Sequence, residues 1–100
     1  MKLSKLALAI SNVRSAYGVD GTDLLVLNEV MQAKHYAGEV TIMEIVDKSK
    51  AASPATIHAR IKILCAKQIL VKVEQATNLR LRMLEKGPEY DKLIDILEAV

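Results

Sequence analysis

The sequence predicts a mainly α-helical chain with one small β-hairpin, and three observations predict it. Apolar residues recur every three or four positions from Leu3 to Tyr17, and again within residues 22–36, 42–48 and 54–64. Past Gln68 the spacing changes to two: Ile69, Val71 and Val73 alternate with Leu70, Lys72 and Glu74, and Leu79, Leu81 and Met83 alternate with Arg80 and Arg82. Two helix-start signals, Thr41 with Glu44 and Ser53 with Pro54, lie close enough that the helices they open share a tight turn. One hundred residues, 51% of them apolar and with three tyrosines as the whole aromatic complement, fit one domain packed from Leu, Ile, Val and Ala.

In the first helix Leu3, Leu6, Ile10, Val13 and Tyr17 form a single apolar stripe. Its lysines followed by Leu and Ala resemble a signal peptide superficially. The apolar stretch is short and is broken by Ser11, Asn12 and Arg14, so it reads as an amphipathic helix. Gly18 and Gly21 end it, and Thr22 is expected to cap a second helix reaching about Tyr36. Near Leu24 to Leu27 that helix is apolar around most of its circumference, which predicts a central position. The connector AGEV follows, with strand-like character. Thr41 and Glu44 then form a capping box opening a short third helix, buried through Ile42, Ile45 and Val46.

The fourth helix begins in the stretch SPATIHARIKIL, residues 53–64. Ser53 is its expected N-cap and Pro54 its first residue, where a missing N–H costs nothing. Ile57, Ile61 and Leu64, extended to Gln68, make the inward stripe, and Pro54, Ala55, Thr56, His58, Ala59 and Lys62 point outward. In the hairpin the apolar faces are expected to match only when Val73 pairs with Leu81 and Val71 with Met83. That register leaves a loop of Ala76, Thr77 and Asn78, and sets Glu74 opposite Arg80 and Lys72 opposite Arg82. Gly87 and Pro88 introduce a last helix with Tyr90, Leu93, Ile94 and Leu97 on one face.

Two helices joined by a tight turn and followed by a two-stranded wing make a winged helix-turn-helix, here flanked by N- and C-terminal helices. The expected organisation is a single winged-helix domain over residues 1–100: an N-terminal helix at 1–17, the winged core at 22–84 and a C-terminal helix at 86–100. The net charge of +2 says little about partners, but its distribution does. Six Lys or Arg and no acid occupy Lys48 to Lys72, and the stretch to Arg82 holds eight against Glu74 alone. From Glu85 onward five acids face Lys86 and Lys92. Such segregation gives one face an affinity for polyanions, or else a solvated lysine surface.

The run TIMEIVDKSKAASPATIHARIKILCAKQILVKVE, followed by LRMLEKGPEY, resembles the MarR family of bacterial transcriptional regulators. LEKG at 84–87 resembles the LTEKG that opens the helix after the wing in that family, and Gln68 stands where the family often has Gly. SPATIHARIKIL is similar also to the Lrp/AsnC helix-turn-helix, where an arginine followed by Ile/Val-Lys takes the places of Arg60, Ile61 and Lys62. The resemblance covers about residues 22–99 and implies double-stranded DNA binding with the fourth helix, residues 53–67, in the major groove.

The residues agree with that implication. Thr56 can exchange hydrogen bonds with a base, Ala55 and Ala59 can meet a thymine methyl, and Lys62 suits guanine or phosphate. Ser53 and the helix N-terminus beside Pro54 offer donors to a phosphate. Lys48, Lys50, Lys72 and Arg82 suit sequence-neutral phosphate contacts. Arg60 and Arg80 join this set with alternatives open. Arg60 lies beside the inward stripe and can pair with an acid, and Glu74 can neutralise Arg80 across the hairpin. His58 is either a surface residue or a pH-dependent contact, and His35 beside Tyr36 reads as helix-end packing.

The terminal stripes (Leu3, Leu6, Ile10, Val13, Tyr17 and Tyr90, Leu93, Ile94, Leu97) are expected to form a homodimer interface, unless the two helices pack on each other. A sequence-specific transcriptional regulator is the expected function, and a winged-helix module that binds protein in a transcription or phage-type complex is the alternative. No phosphate-binding glycine loop, metal-ligand spacing or nucleophile-base arrangement is present, so neither an enzyme nor a cofactor or metal is expected. One cysteine, Cys65, excludes an internal disulfide and suits the reducing cytoplasm. No apolar run reaches the roughly 18 residues of a membrane span, and no small-molecule effector follows from the sequence.

Overall fold

A computed structural model of the chain describes residues 2–50, 52–75 and 78–100, and for 75 and 78–81 the backbone alone. Five helices and one antiparallel hairpin follow in the order α1 (Leu3–Tyr17), α2 (Gly21–Ala37), α3 (Ile42–Lys48), α4 (Pro54–Ala66), β1 (Leu70–Gln75), β2 (Asn78–Lys86) and α5 (Tyr90–Glu98). This is the expected winged helix-turn-helix with a helix at each end. Helix α4 packs on α2, α3 and β1, while α1 lies against α5.

Local chemistry explains most of the boundaries. Gly18 closes α1 in the left-handed conformation, donating its N–H to the Arg14 carbonyl at 2.8 Å. Helix α2 starts two residues earlier than expected: Asp20, not Thr22, is the cap. Its carboxylate accepts the Asp23 N–H at 3.0 Å, and the Asp23 carboxylate accepts the Asp20 N–H at 2.9 Å. Thr41 caps α3 by accepting the Glu44 N–H at 3.2 Å. Ser53 caps α4 through the Thr56 N–H, with Pro54 in the first turn.

The core is aliphatic, with Ile57, Ile61 and Leu64 of α4 meeting Val26 and Val30 of α2, Ile45 and Val46 of α3, and Ile69, Leu70 and Leu84 at the wing base. Truncating any one such side chain to Ala costs about 2–5 kcal/mol, several times the contribution of an exposed ion pair. Packing therefore holds the fold together, and charges only orient it. Helix α2 is less enclosed than its composition predicts, for Leu25 remains 55% exposed.

Four expected pairs in the hairpin are corrected. Val73 pairs with Met83 rather than Leu81, Val71 with Glu85 rather than Met83, Glu74 faces Arg82 rather than Arg80, and Lys72 faces Leu84 rather than Arg82. The slip of two residues keeps each side chain on its own face, so alternation alone could not exclude it. It follows from β2 running on through Lys86, past the point where the last helix was expected to begin. Long-range pairing holds it there: the Leu84 N–H donates to the Val40 carbonyl at 3.0 Å, and Thr41 bridges Met83. Val40 of AGEV thus meets the wing through its carbonyl, and the bridging residue is Thr41 just past it. Asn78 belongs to β2, paired with Gln75 across a bulge; Ala76 and Thr77 of the expected loop lie outside the described residues.

Gln68 does not extend the α4 stripe. It is exposed, with φ +62°, and turns the chain out of the helix into β1. Its carbonyl accepts the Glu89 N–H at 2.9 Å and lies so near Gly87 that an added Cβ there would sit 2.1 Å from it. Gln68→Gly is therefore expected to stabilise the protein by about 1 kcal/mol, raising Tm by roughly 4–8 °C, because the left-handed strain outweighs the extra chain entropy. Gly87→Ala should lower Tm, since the neighbour in the way is backbone. Thermal melts of both variants test this corner.

Candidate nucleic-acid interface

Burying Ile57, Ile61 and Leu64 decides which residues of α4 face solvent. Pro54, Ala55, His58, Ala59 and Lys62 are all exposed, as expected, and Thr56 is half-buried. The Thr56 hydroxyl is drawn into the cap, accepting from the Ser53 hydroxyl at 3.0 Å. The outward surface at Ala55 and Ala59 is consequently smooth, with the hydrogen-bonding groups along its edges.

One edge opens into a cleft of about 330 Å³ between α3, α4 and the wing, lined by Thr41, Ile42, Met43, His58, Lys62, Lys72 and Arg82. Cations from α4, β1 and β2 converge there, and among the described residues no carboxylate lines it. Lys48 and Lys50 are exposed at the end of α3 and in the turn that follows. The Arg80 side chain lies outside the described residues, and the strand register puts Arg82 rather than Arg80 opposite Glu74. Such a cleft can hold an anion, because like charges brought together without a counter-charge favour one that supplies it.

Arg60 sits differently. Its side chain leaves the flank of α4 that faces α2, and Nη1 lies 3.1 Å from Asp20 Oδ2 and 3.5 Å from Asp23 Oδ1. Asp23 is the single buried charged side chain among the described residues, 1% exposed. Burial raises its pKa above the ordinary carboxylate value, against the Asp20 N–H bond and the Arg60 charge. Asp20 is lowered, chiefly by the Asp23 N–H bond, with Arg60 adding to it. Of the two readings the sequence left open for Arg60, the structure shows the pairing with an acid. The reciprocal Asp20–Asp23 cap went unread in the sequence, although Asp-x-x-Asp before an apolar run has capping-box spacing. A second ion pair had no local signal: Lys34 of α2 reaches Glu85 at 2.8 Å and the Leu84 carbonyl at 3.1 Å, tying α2 to the wing.

The terminal helices are partly consumed within the chain. Val13 and Leu93 are fully buried, which removes them from the expected subunit interface. Tyr17, Ile10, Tyr90, Ile94 and Leu97 are half-buried, while Leu3 and Leu6 are exposed. Leu6, Ile10, Ile94 and Leu97 line a groove of about 870 Å³ whose other wall is α2 with Leu24, Leu25 and Asp20. Cys65 is half-buried and its pKa is raised by burial, which suits a packed thiol rather than a reactive one. His35 stacks edge-on against Tyr36 with ring centroids 5.3 Å apart. No helix of the described residues is long and apolar enough to cross a membrane.

No protein-family model matches the chain, and no curated protein sequence matches it. Solved structures do share its fold. YusO from Bacillus subtilis superposes with a TM-score of 0.66 at 17% identity, over 96% of this chain and 64% of its own. The transcriptional regulator Tm0710 from Thermotoga maritima gives 0.62 at 14% identity, over 93% of this chain and 64% of its own. BpsR from Bordetella bronchiseptica, whose DNA binding is regulated by 6-hydroxynicotinic acid, gives 0.63 at 18% identity, over 96% and 68%. The chain thus spans about two thirds of each neighbour's length. These neighbours are MarR-family transcriptional regulators, and the likeness bears out the MarR-like winged-helix fold.

The carboxylate pair gives a pH signature with a defined sign. Asp23, with a raised folded-state pKa, favours the fold below the unfolded value of 3.8 and loses that contribution as pH rises through the folded value. Asp23→Asn should therefore gain Tm relative to the parent protein as pH rises from about 4 to about 7. Asp20 has the opposite sign, since its pKa is lowered: Asp20→Asn should lose most at neutral pH, the deficit closing as pH falls below 3.8. Paired melts across this range check both.

Proposed function

We propose that the chain is a sequence-specific double-stranded DNA-binding transcriptional regulator that inserts α4 into the major groove and works as a homodimer. The observation that carries this reading is the acid-free cleft beside α4, where Lys62, Lys72 and Arg82 from three elements converge with His58. In this reading Lys72 and Arg82 hold one phosphate strand, and Lys48, Lys50 and Ser53 hold the backbone on the other side of α4. Pro54, Ala55 and Ala59 bring α4 close to the groove floor, and Thr56, His58 and Lys62 reach base edges. The fold shared with MarR-family regulators supports the same reading.

Surface left uncovered supports the homodimer. With Val13 and Leu93 spent inside the chain, Leu3, Leu6 and Leu25 remain exposed around the groove between α1, α2 and α5. A second copy covering that groove would present two α4 helices to half-sites about one helical turn, roughly 34 Å, apart. A second reading, a winged helix that docks on protein, is favoured by exposed Met43 at the rim of the basic cleft and by exposed Val73 on the wing.

Titrating the protein with duplex DNA at several salt concentrations tests the proposal. Each of Lys72→Ala and Arg82→Ala is expected to weaken binding and to reduce the slope of log affinity against log salt by about 0.9, while Lys62→Ala should weaken binding and relax sequence preference. Loss of affinity with no change in slope for Lys72→Ala or Arg82→Ala would remove phosphate contact from that residue's role. No binding even at low salt would favour the protein-docking reading. Leu6→Glu with Leu25→Glu should convert a dimeric mass in solution to a monomeric one; an unchanged mass would rule out the groove as the subunit interface.

A further inference from the structure

We infer that Arg60 is a positioning residue for DNA binding: it sets the pose of α4 through Asp20 and Asp23 without touching DNA itself. The inference rests on the proposed DNA-binding role of α4 and adds what orients that helix. The inward stripe of α4 is three aliphatic side chains, and their burial fixes which side of the helix faces in; aliphatic packing is non-directional, so it leaves small turns and axial shifts against α2 that cost little buried area. A charge-assisted hydrogen bond is directional. Arg60 supplies the directional contact between these two helices, with one nitrogen seated between two carboxylates at 3.1 and 3.5 Å. The acceptors cannot drift, because Asp20 and Asp23 are locked to each other's backbone N–H groups, and Asp23 is buried. Arg60 follows Ala59 and precedes Lys62 by two positions, so a rotation of α4 that frees it also turns Ala55, Ala59 and Lys62 away from their common outward direction.

The test uses the full chain and three variants: Arg60→Met, which keeps the stem and loses the charge; Arg60→Lys, which can still place one nitrogen between the carboxylates; and Asp20→Asn, which keeps a good helix cap. Duplex DNA affinity is measured across salt, below the melting temperature of every variant. Arg60→Met and Asp20→Asn should each bind about tenfold more weakly at every salt concentration, with the salt slope unchanged, and Arg60→Lys should restore most of the loss. Were Arg60 a phosphate contact that Asp20 merely neutralises, Asp20→Asn would bind more tightly and Arg60→Met would lower the slope by about 0.9. Either of those results overturns the inference.

Nuclear Overhauser contacts between α2 and α4, recorded without DNA, give the second readout. They should shift in Arg60→Met and persist in Arg60→Lys. Unchanged contacts in Arg60→Met would overturn the inference even if affinity fell. If the parent protein binds no duplex, the DNA-binding proposal fails by itself, and the helix contacts alone decide the role of Arg60.

Discussion

Ile57, Ile61 and Leu64 are the constraint on which the rest of the structure depends. They are spaced along one side of a thirteen-residue helix and are almost completely removed from water. Helix α2, helix α3 and the base of the wing all cover parts of the same stripe, so its burial brings three elements together at once. The same act leaves the opposite side of α4 with nothing to pack on. Small and polar side chains occupy it, and the sequence can place Ala55, Ala59 and Lys62 there because burial asks nothing of them. An apolar residue at these positions would compete for the core and blur the choice of face.

Charge is layered on this packing. Ion pairs sit where α2 meets its neighbours, at Arg60 with Asp20 and Asp23, and at Lys34 with Glu85. They consume acids on the side of the molecule away from the cleft. Acids are absent between Lys48 and Lys72, so the cations near α4 have no partner in their own segment, and the wing folds Lys72 and Arg82 back beside Lys62. A modest net charge of +2 thereby yields a local basic surface. Attraction to a polyanion depends on that local field rather than on the total.

What was legible in the sequence was local. Ser53 with Pro54 and Thr41 with Glu44 mark helix starts by hydrogen bonds spanning three residues, and the change of period after Gln68 marks the wing. The features that were not legible are set by contacts across the chain. The hairpin register turns on Val40 and Thr41 meeting Leu84 and Met83, some forty residues away, while both candidate registers satisfy the alternation. Thr22 reads as a cap from residue type and position alone. Asp20 prevails because Asp23 answers it and Arg60 ties both carboxylates to α4. Composition predicts an enclosed α2, yet only the packing could show that Leu25 stays 55% exposed. Among candidate site residues, the outward set of α4 could be read from helical period alone, but the partner of Arg60 could not, because a helical period gives direction and not what lies there.

The account stands most directly on where the protein meets DNA. Backbone amide chemical shifts, followed while a mixed-sequence duplex is titrated in at low salt, report that surface residue by residue. The predicted result is a continuous patch of change over the first turns of α4, the turn after Lys48, and Lys72 and Arg82 on the wing, fading as salt is raised. Changes confined to the groove between α1, α2 and α5, or spread evenly over the molecule, would contradict it.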